Sequence, residues 1–79
     1  MVSACMLIRT ERGRFDEVVD TLKQFKEAKA VFSVLGRYDA VVDIIADDYK
    51  NLGEVALRMG RVSGVVFTET LVEIEAGVM

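Results

Sequence analysis

Seventy-nine residues are enough for one domain and too few for two. With no histidine and a single cysteine, Cys5, the chain can build neither an internal disulfide nor a Cys/His metal cage, yet 52% of its residues are hydrophobic. Its formal net charge is −3, with ten basic residues scattered among thirteen acids, which excludes the clustered basic surface of a direct duplex-binding module. A domain of this size buries only about 60% of the surface its unfolded chain would expose. The hydrophobic surplus therefore points to burial in an oligomer interface.

Met1 to Thr10 is apolar but short, lacks a basic leading segment and an Ala-x-Ala cleavage site, and reads as a strand. No apolar run approaches the ~20 residues needed to cross a bilayer, so no membrane partner and a cytoplasmic location are expected. Val2 to Arg9 forms the first strand, and Glu11-Arg12-Gly13 breaks it. Phe15, Val18, Val19, Leu22 and Phe25 follow at spacings of three and four, one helical stripe. Asp16 and Glu17 sit in the first turn and Lys23 and Lys26 near the end, complementing the helix dipole.

Ala30 to Leu35 is a second strand and Ala40 to Ala46 a third, joined by a hairpin turn at Gly36-Arg37-Tyr38-Asp39. Asp47 or Asp48 can cap a second helix, in which Tyr49, Leu52, Val55, Ala56 and Met59 share a face and Gly60 ends the run. Val65 to Glu75 is a last, long strand. The order β-α-β-β-α-β predicts an α+β fold, the ferredoxin-like sandwich: a four-stranded antiparallel sheet with two helices on one face.

A strand with one solvated face alternates apolar and polar residues. Here Val2, Ala4, Met6 and Ile8 are opposed by Cys5 and Leu7. Ala30, Phe32 and Val34 are opposed by Val31 and Leu35, and Val42 and Ile44 by Val41 and Ile45, with Asp43 as the polar interruption. Helices cover one face only. A second copy of the chain is the expected cover for the other.

Catalytic chemistry has few candidates. There is no nucleophile elbow and no Walker-type glycine loop, and neither a cofactor nor a metal is expected. Asp47-Asp48 reads as a cap with a solvated neighbour, and Cys5, mid-strand with no base nearby, as a structural thiol. Two segments offer recognition chemistry. Gly36-Arg37-Tyr38-Asp39 gathers a flexible turn, a cation, a phenol and a carboxylate. Ser63-Gly64-Val65 and Thr68-Glu69-Thr70 add a tight turn and small hydroxyls. A free amino acid needs an acceptor for its ammonium group and donors for its carboxylate, and both segments carry such groups. Taken singly, each also fits a plain turn or an ordinary strand.

Together, the run Val34-Leu35-Gly36-Arg37-Tyr38-Asp39, the apolar strand after it, Ser63-Gly64-Val65 and Thr68-Glu69-Thr70 resemble the Gly-x-Tyr-Asp hairpin, Gly-Val turn and Thr-x-Thr strand of Lrp/AsnC effector domains, also called RAM domains. The resemblance spans Val2 to Glu75 and implies that residues 1–79 form a single ligand-binding domain of this kind. It implies a dimer paired through its sheet faces, further assembly into a tetramer of dimers, and an amino-acid effector held between dimers. Carried over to this sequence, the site residues are Gly36, Tyr38, Asp39, Gly64, Thr68 and Thr70. Asp39 would meet the ammonium group, and the hydroxyls and glycine N–H groups the carboxylate. Two departures stand out. The sequence starts directly in the first strand, without the helix-turn-helix domain of full-length members, so a stand-alone, non-enzymatic form with no direct nucleic-acid contact is expected. Ser63 stands where the family turn often has proline. Co-assembly with full-length Lrp/AsnC regulators is left open, as are a small enzyme of the dimeric α+β barrel type and an ACT-type regulatory domain.

Overall fold

The computed structural model describes residues 1–74. Six elements follow one another: β1 (Val2–Thr10), α1 (Phe15–Leu22), β2 (Ala28–Ser33), β3 (Ala40–Ala46), α2 (Tyr49–Gly60) and β4 (Val65–Val72). The strands form one sheet in the order β2-β3-β1-β4, with every neighbouring pair antiparallel. Each β-α-β unit leaves a gap between its two strands, and a strand of the other half fills it. This is the ferredoxin-like arrangement expected from the element order.

Alternation within the strands decides what each face buries. Ala4, Met6 and Ile8 of β1 and Ala40, Val42, Ile44 and Ala46 of β3 point toward the helices and are buried. Val18, Val19 and Leu22 of α1 and Leu52, Val55 and Met59 of α2 close over them in one core cluster. At roughly 25 cal/mol per Å² of apolar surface removed from water, this contiguous cluster is the main driving force for the fold.

Element ends differ from the sequence expectation in three places. Helix α1 stops at Leu22, because turn-type bonds from the Gln24 and Phe25 N–H groups to the Thr21 and Leu22 carbonyls tighten the chain there. Lys23 is the cap and Lys26 lies beyond, so neither is in the last helical turn; Phe25 still packs on the core, with the Arg58 guanidinium 5.0 Å from its ring centroid. Strand β2 starts earlier and ends earlier than expected, since Ala28 already pairs with Ile44 and a bulge at Lys29 shifts the register. Leu35 consequently leaves the sheet and stands fully exposed in the connecting loop. Strand β4 pairs through Val72, and the Glu73 N–H still donates to the Ser3 carbonyl at 3.0 Å; Glu75 lies outside the described residues. Helix α2 is capped by Asp48, whose Oδ1 accepts from the Asn51 N–H at 2.8 Å, and ends at Gly60 as expected.

The outer face of the sheet carries Cys5 and Leu7, Phe32, Val41 and Asp43, Phe67 and Leu71 in register across all four strands. No layer of the described residues covers it, and Phe32, Phe67 and Leu71 are about half exposed. No described helix is long and apolar enough to cross a membrane.

Candidate functional site

The β2–β3 loop, residues 34–39, lies at the sheet end where β1 finishes and β3 and β4 begin. It is longer than a four-residue turn, closed by the Val34 N–H on the Asp39 carbonyl at 3.1 Å. Gly36 takes φ +132°, a conformation that a side chain would strain, and its Cβ direction opens on empty space.

Asp39 is the loop's anchor. Its N–H donates to the Ile8 carbonyl at 2.8 Å, and its Oδ2 accepts from the Thr10 N–H at 2.8 Å and from the Thr10 hydroxyl at 3.4 Å. The carboxylate therefore holds the loop to the end of β1 before any ligand arrives. Arg9 adds a second tether, its Nη2 and Nε donating to the Arg37 carbonyl at 3.1 and 3.3 Å.

Tyr38 crosses over the end of β1 to reach β4. Its hydroxyl donates to Glu69 Oε1 at 2.5 Å, and its ring stacks on Phe67 with centroids 6.4 Å apart and planes 19° apart. The bond to Glu69, helped by burial and by Glu69's charge, pushes the phenol above its ordinary value, while Arg37 and Arg9 pull it down.

Thr68 and Thr70 lie on the other side of β4. They pair with Ile8 and Met6, whose side chains face the helices, whereas Glu69 pairs with Leu7 on the outer face. A Cβ on Gly60, at the end of α2, would lie 3.9 Å from the Thr68 hydroxyl oxygen, so that hydroxyl stands beside the helix. Gly64, buried with φ +98°, sits at the same sheet end as the loop. A Cβ there would fall 2.7 Å from Val18 Cγ2 and 3.4 Å from Arg14, so close packing on α1 itself requires glycine. Its carbonyl accepts the Glu11 N–H at 2.8 Å, and Arg14 binds Ser63 Oγ at 2.6 Å, Glu11 Oε1 at 3.2 Å and Glu17.

Of the six residues expected from the sequence, Gly36, Tyr38 and Asp39 thus share one rigid loop, and Gly64 joins them at the sheet end. Within a single chain Thr68 and Thr70 do not meet Tyr38. Glu69, Phe67, Thr10 and Arg9 are the contacts that sequence reading missed. Only strict two-residue alternation, counted from the buried end of β4, could have exposed Glu69 and Phe67. Cys5 stands opposite Asp43 on the outer face, where burial and then the Asp43 charge push its thiol up, away from the reactive thiolate. No cluster of three metal-ligating side chains exists among the described residues.

The model of one protein family, the Lrp/AsnC ligand binding domain, matches residues 3–77. The chain is 30% identical over 71 residues to the HTH-type transcriptional regulator FL11 of Pyrococcus furiosus, a match covering 90% of this chain and 47% of that regulator. It spans about half the length of the curated relatives it matches. Among solved structures, TTHA0845 from Thermus thermophilus superposes with a TM-score of 0.90 at 30% identity, covering 96% of both chains. Escherichia coli AsnC superposes with a TM-score of 0.87 at 16% identity, over 99% of this chain and 54% of AsnC, a likeness of fold.

Proposed function

The chain belongs to the Lrp/AsnC ligand-binding domain family, a regulatory domain of transcription regulators, and from that premise we propose that it is a non-enzymatic module that binds a free amino acid and self-associates through its outer sheet face. The observation that carries the reading is the extent of the family match, which runs through both sheet faces and both recognition segments. The exposed apolar side chains of Phe32, Phe67 and Leu71 on the outer face support pairing with a second copy, because exposed apolar patches of this kind mark interfaces. The pinned Gly36–Asp39 loop supports ligand binding, since a preorganised loop loses little entropy when it closes on a ligand.

The mechanism is linkage. A ligand lodged where Thr68 and Thr70 of one dimer approach a Gly36–Asp39 loop of another favours whichever assembly completes the site, and so shifts the assembly equilibrium. Full-length regulators of the same family are candidate partners, because they contain a domain of this fold. The acidic balance of the chain points away from direct duplex binding.

Two measurements test the proposal. Size exclusion with light scattering should give a mass of at least two chains at micromolar concentration; a single 8.8 kDa species overturns the self-association half. Calorimetry against the twenty amino acids should find one that binds below millimolar concentration. Asp39→Asn, which keeps an oxygen for the Thr10 N–H while removing the charge, should weaken that binding roughly 10- to 150-fold. An absence of binding in the wild type overturns the sensor half.

A further inference from the structure

Helix α2 turns Leu52, Val55 and Met59 inward, yet its opposite side is neither wholly polar nor filled. Leu57 is 63% exposed there, and Tyr49, which spacing placed with the core, is 58% exposed. Midway between them lies Gly53, exposed in the middle of the helix. Residues four apart stand one above the other on a helix, so Tyr49, Gly53 and Leu57 form a ridge with a notch at its centre. Nothing in the chain requires the notch. Gly53 is not among the glycines of positive φ, and a Cβ there would meet no atom within 4 Å. Glycine is the poorest helix former after proline, so α2 loses stability at a position where its own packing gains nothing. Gly64 is the opposite case, since Val18 occupies the space its side chain would need.

We propose that this ridge pairs antiparallel with the same ridge of a second copy, about a two-fold axis passing beside Val55. Val55 lies midway between Gly53 and Leu57, so that axis seats each copy's Leu57 in the other copy's Gly53 notch. A second copy is the occupant that brings both a projecting leucine and a notch to receive one. Charge favours the same arrangement. Helix α2 has Asp47 just ahead of its first turn and Arg61 just past its last, and neither is in an ion pair among the described residues. Antiparallel pairing lays the acidic start of one helix beside the basic end of the other, with their dipoles opposed.

The contact is a weak one. Twelve residues make a helix about 18 Å long, far too short to bury the roughly 1,200 Å² of a stable interface. It works between chains that are already assembled. Because α2 covers the inner side of the sheet, this contact and the outer-face pairing lie on opposite sides of the chain. Together they join pairs of chains into larger assemblies, and neither depends on a bound ligand.

Disulfide trapping on the full chain reads the geometry directly. Along the paired helices Leu57 and its symmetry mate are about 6 Å apart, whereas Lys50 and its mate, on the same exposed side, are about 15 Å apart. In a Cys5→Ser background, mild oxidation should therefore join chains through Leu57→Cys at least tenfold faster than through Lys50→Cys. The crosslink should survive the addition of Leu71→Asp on the outer sheet face, which separates this contact from sheet pairing. Equal rates at the two positions overturn the proposed axis, and loss of the Leu57→Cys crosslink with Leu71→Asp shows that the α2 ridge makes no contact of its own. Sedimentation velocity supplies the second arm. Gly53→Gln fills the notch with a good helix former, so it should not lower the melting temperature. It should still weaken association beyond the sheet-paired species at least tenfold. Unchanged association in Gly53→Gln overturns the role of the notch.

Discussion

The two faces of the sheet are built from nearly the same residue types and behave as different surfaces. On the inner face Met6, Ile8, Val42 and Ile44 are sealed under α1 and α2. On the outer face, one residue along each strand, Cys5, Leu7, Val41 and Leu71 form a largely apolar register that no described layer of the same chain covers. Hydrophobicity alone does not separate core from interface. What separates them is which face the two crossover helices reach, and the carboxylates of Asp43 and Glu69 on the outer face mark the difference.

Core truncation is the strongest way to test this contrast. Ile8→Ala, at a fully buried site, should destabilise the fold by about 2–5 kcal/mol in chemical denaturation, through lost burial and the cavity left behind. A cost below about 1 kcal/mol would mean that the inner face is not the core. The matching change outside is Leu71→Asp, half exposed on β4. It should leave the chain's own stability within about 0.5 kcal/mol while raising the dissociation constant of the assembly at least 100-fold, about 2.7 kcal/mol. Unchanged assembly in sedimentation would show that the outer face is no interface.

Gly64→Ala sharpens the comparison at the sheet end. Its new Cβ would press on Val18 at a position of positive φ, so a loss of about 1–3 kcal/mol is expected. Asp48→Ala should cost about 1 kcal/mol by stripping the cap of α2, read as a drop in thermal midpoint with assembly unaffected.

The smallest effect concerns pH. Because the Tyr38 phenol titrates above its unfolded value, its bond to Glu69 contributes stability that is full below the ordinary phenol value near 10 and is lost as pH rises through the folded value. The difference in thermal midpoint between wild type and Tyr38→Phe should therefore shrink toward zero as pH is raised from below that ordinary value to above the folded one. A difference independent of pH would show that Tyr38 contributes only its stacking on Phe67.

Periodicity alone determined the six elements, their order, the apolar stripes of both helices and the apolar surplus on both faces of the sheet, because each is written in spacings of two or of three and four along a short stretch of chain. The Gly36–Asp39 and Gly64–Thr70 segments also stood out in the sequence as candidates for recognition chemistry. Their relations did not. Tyr38 finds Glu69 across 31 residues, Asp39 finds Thr10 across 29 and Arg14 finds Ser63 across 49. Tertiary structure alone decided that Thr68 and Thr70 turn to the helix side and that Asp39 anchors its own loop. The physical reason is that local periodicity records which residues want burial, whereas strand register and loop closure are settled by hydrogen bonds between distant segments, and one residue of register exchanges every side chain between the two faces.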